Sequence, residues 1–384
     1  MEKANIHSVT KKIVVLIISC IMMLPLLAQP LQLIDTKATK QTKALYNNLH
    51  KLSKTNILFG HQHATEYGHG WANEVDKSDV KSVTGSHPAI IGVDFSGLSG
   101  KPATDIAITK KNLKANIEAT YNRGGVTTVS WHFNNPVSNT DFYWKDTGTV
   151  AAVKYLIPGG SFNEQYKAIL KNIADVAHTV KGKDGNAVPL IFRPYHEFDG
   201  DWFWWGKSHC TINEFVDLWK FTVTYLKDSL QVHNFIYAFS PDNKFNTQAD
   251  YTERYPGNNW VDIVGVDDYG DWGRDGHYDI EAGIKKLKIV SSFAIENKKV
   301  AAFTETGLES VVNTEWYTDV LLKALKNNQL QLCYVLVWRN DATSATHYYA
   351  PFPGHKSAAN FMQFYNDSFT LFEKDLPKMY QFKK

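Results

Sequence analysis

The sequence contains few cysteines and almost no net charge. Three cysteines among 384 residues exclude a small scaffold held together by disulfides, and we expect Cys210 and Cys333 to be buried free thiols. The 41 Lys and Arg residues against 39 Asp and Glu residues give a net charge of +2, so the chain lacks the positive charge of a nucleic-acid-binding protein. Hydrophobic residues form 43% of the chain, too large a share for a disordered protein. We therefore expect a globular protein whose partner is uncharged or small, not a nucleic acid.

The longest apolar segment lies near the N-terminus. Lys11 and Lys12 precede an apolar run over residues 13–27, which is shorter than the ~20 residues that a membrane-spanning helix needs. This pattern predicts a secretory signal over residues 1–28 and export to the periplasm or the extracellular space. No linker or low-complexity block interrupts residues 40–375, so we expect a single domain over residues 29–384, as a monomer. A lipid anchor at Cys20 is the less favoured alternative, because the apolar run continues past that cysteine.

Short apolar segments recur along the chain and alternate with segments of helical spacing. The apolar segments are 57–60, 89–94, 126–131, 190–194, 235–239, 263–266, 300–303 and 333–338, and helical spacing is clear over 162–180, 212–230, 280–296 and 316–325. This alternation predicts an α/β protein with a parallel sheet closed into a (β/α)8 TIM barrel. An open doubly wound sheet is the competing fold, but Phe59-Gly60-His61-Gln62-His63 is not the glycine-rich loop that such sheets use to bind phosphate.

Polar and aromatic residues follow the predicted strands, at the barrel end where enzymes of this fold carry their active sites. They are His61, His63, Asp94, Trp131, His132, His196, Glu197, Asp242, Asp267, Tyr269, Glu305, Trp338, Arg339 and Asp341. Glu197 follows the fourth strand and Glu305 the seventh, and these ends face one another across the barrel. Two carboxyl groups ~5 Å apart would suit a retaining glycosidase, with one as nucleophile and one as general acid and then base. The alternative is a structural ion pair of either glutamate with Arg193 or Arg339.

Tryptophan is abundant, with 11 residues. The segment Trp202-Phe203-Trp204-Trp205-Gly206 follows Glu197 and is flanked by polar residues, which is unusual for a strand. We expect one of its rings to stack on the apolar face of a pyranose and the others to pack the loop against the barrel. Trp131, Trp144 and Trp338 are further candidate platforms at the same rim.

Four segments resemble the motifs of one enzyme family. The segment 193–206, which reads Arg-Pro-Tyr-His-Glu-Phe-Asp-Gly-Asp-Trp-Phe-Trp-Trp-Gly, resembles the acid/base motif of glycoside hydrolase family 26, the β-mannanases. Val266-Asp267-Asp268-Tyr269, Phe303-Thr304-Glu305-Thr306-Gly307 and Val337-Trp338-Arg339-Asn340 resemble the later motifs of that family in the same order. The resemblance extends over about residues 55–345 and so covers the whole predicted barrel.

The resemblance implies a retaining hydrolase that cleaves β-1,4-mannosidic bonds in mannan, galactomannan or glucomannan, with neither a cofactor nor a metal ion. It implies that Glu197 is the general acid/base, that Glu305 is the nucleophile and that Tyr269 orients Glu305 through a hydrogen bond. Residues expected to contact the sugar are His132, Trp144, His196, Trp202, Asp267, Trp338 and Arg339.

Three other interpretations stay open. A metal-dependent hydrolase of the amidohydrolase type would use His61-Gln62-His63, although the fifth and sixth strand ends lack the further histidines that such a site needs. A non-catalytic glycan-binding protein would explain the tryptophans but not the two facing glutamates. An enzyme of the same mechanism could act on mixed-linkage β-glucan or β-xylan, because mannose differs from glucose only at the C2 hydroxyl.

Overall fold

The computed structural model describes residues 31–382. The predicted secretory signal over residues 1–28 and the alternative lipid anchor at Cys20 lie outside the described residues and stay predictions. Among the residues that are described, none of the helices is both long enough and apolar enough to cross a membrane.

Eight parallel strands close into a barrel. They are β1 Ile57–Gln62, β2 Ile90–Asp94, β3 Val126–Trp131, β4 Leu190–Pro194, β5 Phe235–Phe239, β6 Ile263–Asp267, β7 Val300–Thr306 and β8 Leu332–Val337. Each strand pairs with its sequence neighbours, and β8 also pairs with β1, which closes the sheet. A short strand, Thr370–Leu371, adds to β1 in parallel at Ile57 and Leu58. The predicted TIM barrel is confirmed, with β1 and β7 longer at their C-terminal ends than the apolar segments indicated.

Helices surround the barrel. The α-helices are Lys40–Leu52, Asp79–Thr84, Ala103–Arg123, Val153–Leu156, Asn163–Thr179, Ile212–Thr224, Gln248–Tyr251, Ile280–Glu296, Lys323–Asn327 and Ala358–Asn366. The four predicted helical segments are confirmed, although two of them contain π-helical turns, Tyr225–Ser229 and Trp316–Leu322. The long helix Ala103–Arg123 was not evident from the sequence, because its buried stripe is narrow and includes only Leu113, Ile117, Thr120 and Tyr121.

Strand residues are apolar on both faces because both faces are buried. Alternate side chains of a strand point to opposite sides, so Leu58 and Ile90 pack inside the barrel while Phe59 packs between the strands and the helices. The helix Lys40–Leu52 closes the N-terminal end of the barrel, where the Tyr46 hydroxyl donates to the Asp262 carbonyl at 2.9 Å. The opposite, C-terminal end stays open.

Candidate active site

Glu197 and Glu305 meet at the open end of the barrel. Glu305 lies near the end of β7 and Glu197 just beyond β4, and both line a cavity of about 330 Å³. One carboxylate oxygen of each residue lies within 4.8 Å of the other. This separation is close to the ~5 Å of retaining glycosidases and well below the ~6.5–9.5 Å of inverting ones.

A β-bulge directs Glu305 into the barrel. Along β7, Ala302 packs inside the barrel while Ala301 and Phe303 pack outside, so strict alternation would point residue 305 outward. The pairing with β6 shifts at this point, since Val266 pairs with Phe303 but Asp267 pairs with Glu305. The extra residue reverses the alternation, as bulges near active sites do.

A left-handed turn directs Glu197 into the same cavity. Tyr195 and Glu197 have φ of +50° and +54°, a conformation that costs a non-glycine residue ~1–2 kcal/mol. Buried contacts hold the turn: the Tyr195 hydroxyl lies 2.9 Å from the Thr222 hydroxyl, and the Glu197 amide donates to the Ser240 carbonyl at 2.9 Å. Backbone strain that is held in this way is typical of functional sites.

The surroundings of Glu197 favour its protonated form. Burial raises the pKa of Glu197 well above its usual range, and the negative charges of Asp242, Glu305 and Asp267 raise it further. The Trp202 indole N–H donates to Glu197 Oε2 at 2.7 Å, and this hydrogen bond partly offsets the rise by lowering the pKa of Glu197. Because the indole nitrogen can only donate, Glu197 Oε2 is the acceptor in this hydrogen bond.

Both carboxylate oxygens of Glu305 accept a hydrogen bond from a neighbouring side chain. Arg193 Nη2 contacts Glu305 Oε1, and the Tyr269 hydroxyl donates to Glu305 Oε2 at 3.0 Å. Arg193 Nη1 also donates to Asp267 Oδ2 at 2.6 Å. Burial by itself would lower the pKa of Arg193, but the carboxylates of Asp267 and Glu305 outweigh it and raise that pKa. The ion pair weighed in the sequence analysis is therefore present, and it leaves Glu305 at the cavity wall.

The carboxylates of Glu197, Asp267 and Glu305 are close enough together to hold a cation. The Arg193 guanidinium contacts two of the three, so the chain itself supplies the compensating charge. Asp267 has no exposed surface. The prediction that Asp267 contacts the sugar is therefore wrong, because its side chain is enclosed in the barrel and binds the buried Arg193 guanidinium.

Two histidines lie at the cavity wall, His132 directly after β3 and His196 two residues after the end of β4. His132 Nδ1 lies 2.5 Å from Asp94 Oδ2. Burial alone would raise the pKa of Asp94, but the charge and the hydrogen bond of His132 lower it to about 2. His196 is buried, and neither of its ring nitrogens has a partner among the described residues. Burial, with the charges of Arg193 and His132, lowers the pKa of His196 well below its usual value, so its neutral ring offers one donor and one acceptor.

The tryptophans divide between cavity and core. Trp202 and Trp338 are half-buried and line the cavity. Trp204 and Trp205 are fully buried, and the Trp205 indole donates to the His196 carbonyl at 2.9 Å, which fastens the loop to the barrel. Trp131 is also fully buried, with its ring centroid 4.1 Å from that of Phe133. The prediction of Trp131 as a rim platform is wrong, because the last residue of β3 points outward into the helical layer.

Two other predicted contact residues lie outside the cavity wall. Trp144 stacks on His209 with ring centroids 3.7 Å apart, and its amide donates to the Trp202 carbonyl, so it braces the loop that carries Trp202. Arg339 follows Trp338 and donates to Asp341 Oδ2 at 2.6 Å. Both residues stay predictions as sugar contacts.

The cavity also has walls that the sequence analysis did not identify. They are formed by Tyr143, Phe203, Arg274, His347 and Tyr349. Tyr143 is 49% exposed although it is a large aromatic residue, and His347 Nδ1 lies 2.6 Å from Glu309 Oε1. All of these residues lie seven or more residues beyond the end of the preceding strand, so the spacing from a strand gave no signal. The aromatic run Phe142-Tyr143-Trp144 was the one local cue.

The His61-Gln62-His63 segment does not form a metal site. His61 is buried, and burial lowers its pKa to about 4, while His63 pairs with Glu66. Among the residues that the structure describes, the one cluster with metal-binding spacing does not include either histidine. The amidohydrolase interpretation therefore has no structural support.

A closed (β/α)8 barrel with two facing glutamates in opposite electrostatic surroundings at β4 and β7 is the architecture of a glycoside hydrolase. The comparisons with known proteins agree. The sequence pattern described as "Glycosyl hydrolase family 26" matches residues 34–372, and the chain belongs to that family.

Relatives and solved structures support the same placement. The chain is 34% identical over 350 residues to a mannan endo-1,4-beta-mannosidase of Bifidobacterium adolescentis, and the match covers 86% of this chain but 34% of that longer protein. GH26C from Muricauda sp. superposes with a TM-score of 0.85 at 37% identity, covering 91% of this chain and 96% of that one. The GH26 beta-mannanase BoMan26A from Bacteroides ovatus gives a TM-score of 0.82 at 34% identity, covering 90% and 98%.

Proposed function

We propose that the protein hydrolyses β-1,4-mannosidic bonds within mannan, galactomannan or glucomannan chains and retains the anomeric configuration. The observation that carries this proposal is the approach of Glu197 and Glu305 to within 4.8 Å. Burial and neighbouring carboxylates raise the pKa of Glu197, while Arg193 and Tyr269 contact the two carboxylate oxygens of Glu305. A glycan-binding protein would have no need for this arrangement. The names of the relatives support mannan as the substrate.

In the first step, the Glu305 carboxylate attacks the anomeric carbon while Glu197 gives its proton to the glycosidic oxygen, and the bond between sugar and leaving group breaks. Glu305 then carries the sugar as an ester and has lost its charge. Because that charge helps to raise the pKa of Glu197, the pKa falls at this stage. Glu197 can then take a proton from water, whose oxygen displaces Glu305 and releases the product.

Arg193 and Tyr269 act in both reaction steps through their contacts with Glu305. Their donated hydrogen bonds hold the carboxylate in place before attack. When Glu305 leaves the sugar in the second step, the same donors stabilise the returning negative charge. Trp202 and Trp338 offer aromatic surfaces for a sugar ring in the cavity, and His132 and His196 offer polar contacts.

The test is product analysis with β-1,4-linked manno-, gluco- and xylo-hexasaccharides, with Glu305→Ala as the inactive control. We expect cleavage of the manno-oligomer alone, and an NMR time course in which the β-anomer of the product appears first. Cleavage of the gluco- or xylo-oligomer instead would indicate that the substrate is β-glucan or β-xylan. No cleavage by the wild type, with binding retained, would favour a glycan-binding protein.

We also propose that residues 1–28 direct export, which would bring the enzyme to a polymer that cannot enter the cell. N-terminal sequencing of the secreted protein tests this. Cleavage after Ala28 is expected, whereas a lipid-modified Cys20 at the N-terminus would establish the anchored alternative.

A further inference from the structure

A basic surface covers the N-terminal end of the barrel, opposite the catalytic cavity. Between residues 36 and 65 the sequence has no aspartate or glutamate, although the whole chain has almost no net charge. The segment 376–382 has no acidic residue either, and it lies against the helix that closes this end, where Asn48 Nδ2 donates to the Met379 and Gln381 carbonyls at 2.9 Å. We call the lysines of these two segments the basic pole: Lys37, Lys40, Lys43, Lys51, Lys54 and Lys378.

The helix that closes this end directs its lysines away from the barrel. Lys43 and Lys51 follow Lys40 by three and eleven residues, spacings that place all three on one face of a helix. The opposite face carries Leu45 and Leu49, which are fully buried against the residues inside the barrel. The lysines classed as exposed are Lys37, Lys40, Lys51, Lys54 and Lys378. The charges of the basic pole are therefore open to solvent.

The positive charge of the basic pole is not neutralised within the part of the chain that the structure describes. None of its six lysines has a carboxylate oxygen within 4.0 Å there, whereas lysines elsewhere on the surface do form such pairs, for example Lys326 with Asp367 at 2.8 Å. Asp35, the acidic residue that precedes the pole in the sequence, is buried and lies 2.7 Å from His233 Nδ1 instead. The charge is therefore available to a partner.

Helix stability does not account for these lysines. Lys40 and Lys43 lie within the first four residues of their helix, and its first turn has no acidic residue. The helix dipole places partial positive charge at this end, where acidic side chains stabilise a helix and cations oppose the dipole. The pattern works against the helix, which favours a use of the charge outside it.

An apolar groove lies among the lysines. It has a volume of about 580 Å³ between the helix and the C-terminal segment, and Leu52, Pro377 and Phe382 line it together with Lys51 and Lys378. The Phe382 side chain is 45% exposed. Lysines around an exposed aromatic ring are typical of surfaces that lie on a membrane, because ammonium groups attract anionic headgroups while the ring enters the boundary with the acyl chains.

We propose that the basic pole binds the protein to a membrane surface that contains anionic phospholipids. A lysine ammonium is a flexible point charge, which suits a fluid layer of headgroups better than one fixed phosphate. A second copy of the chain would bring the same positive charge, so electrostatic repulsion disfavours self-association through this surface.

This orientation has a consequence for access to the catalytic cavity. The cavity lies at the opposite end of the barrel, so it would face away from the membrane and toward a dissolved polymer. Leu33 packs in the same buried cluster as Leu45, so the chain enters its described part at the basic pole, and an anchor ahead of it would act at the same surface. The inference rests on the proposed export and not on the proposed cleavage of a glycan.

The test is co-sedimentation of the protein that begins at residue 29, the proposed mature form, with lipid vesicles. One set of vesicles is phosphatidylcholine alone and the other an equal mixture with phosphatidylglycerol, each at ~0.05 M and ~0.5 M salt. The pole variant combines four exposed lysines changed to glutamine, which preserves helix propensity: Lys40→Gln, Lys51→Gln, Lys54→Gln and Lys378→Gln. The matched control makes the same change of charge on exposed helical positions at the sides of the barrel: Lys111→Gln, Lys171→Gln, Lys285→Gln and Lys288→Gln.

We expect the wild type to bind the anionic vesicles at low salt, to be released at high salt and to leave the neutral vesicles unbound. One lysine near an anionic surface contributes roughly fivefold to binding, so the pole variant should bind on the order of a hundredfold more weakly. The control variant should stay within a few fold of wild type, and Phe382→Ser should lose less than the pole variant. Thermal unfolding of each variant checks that it is folded.

Equal binding to both kinds of vesicle, no binding at low salt, or equal losses in the pole variant and the control would each overturn the proposal. Binding to soluble dextran sulfate without binding to vesicles would also overturn it, in favour of an anionic polymer as the partner. Because the assay involves no cleavage, its outcome is independent of whether the protein hydrolyses mannan.

Discussion

Glu197 and Glu305 face the same cavity, yet different neighbours surround their carboxyl groups. Glu197 receives one hydrogen bond, from the Trp202 indole, and is buried among other carboxylates. Glu305 receives hydrogen bonds at both oxygens, from the Arg193 guanidinium and from the Tyr269 hydroxyl. The comparison teaches that the two proposed roles, acid for Glu197 and nucleophile for Glu305, would follow from the neighbours of each glutamate and not from the residue type.

The largest effect is expected for Glu305→Ala, which removes the proposed nucleophile. Without a nucleophile the covalent step cannot occur, so kcat on mannan should fall by a factor on the order of 10⁴ or more. Initial rates of reducing-sugar release measure this. Glu281→Ala, at an exposed helical position, is the control. Turnover within tenfold of wild type would contradict the role of Glu305.

Glu197→Ala removes the proposed general acid and should lower kcat/KM on mannan by ~10²–10⁴-fold, the usual contribution of such a group. The loss should depend on the leaving group. A dinitrophenyl mannoside needs no proton on its leaving oxygen, so its first step should keep most of its rate and show a burst of dinitrophenol followed by slow turnover. An equal loss on both substrates would argue against an acid role for Glu197.

Trp202→Phe tests whether the indole hydrogen bond helps to set the pKa of Glu197, and the measurement is the pH profile of kcat/KM. The indole hydrogen bond lowers the pKa of Glu197, so its removal should raise that pKa further. Activity requires protonated Glu197 in the free enzyme and is lost as the pH rises through its pKa, so the basic limb of kcat/KM should move to higher pH. Loss of a sugar contact should lower kcat/KM by roughly tenfold as well. An unchanged basic limb would mean that the hydrogen bond does not tune Glu197.

Asp242→Asn is expected to have the smallest effect, and in the opposite direction. The negative charge of Asp242 adds to burial in raising the pKa of Glu197, so an amide there should lower that pKa. The basic limb of kcat/KM should move to lower pH, with little change in the maximum. Asp217→Asn, on the helix Ile212–Thr224, is a control far from the cavity wall. A shift to higher pH in Asp242→Asn would contradict the electrostatic account.

Much of the fold was predictable, because strands buried on both faces leave a clear apolar signal. The sequence also placed Glu197 and Glu305 at facing strand ends. It failed at Trp131 and Asp267, since proximity to a strand end does not tell whether a side chain points into the cavity, into the helical layer or into the barrel interior. It missed Tyr143, Arg274, His347 and Tyr349 because the loops that carry them reach the cavity through tertiary contacts alone.

The sequence by itself determined the barrel, the strand ends that carry the two glutamates, and the family motifs around them. The tertiary structure decided which way the glutamates point and which neighbours surround each of them. A bulge opposite Asp267 turns Glu305 inward, and a left-handed turn held by Thr222 and Ser240 does the same for Glu197. The raised pKa of Glu197 depends on burial and on charges brought together from the ends of β5, β6 and β7, and such distances in space are not encoded in the spacing of residues along the chain.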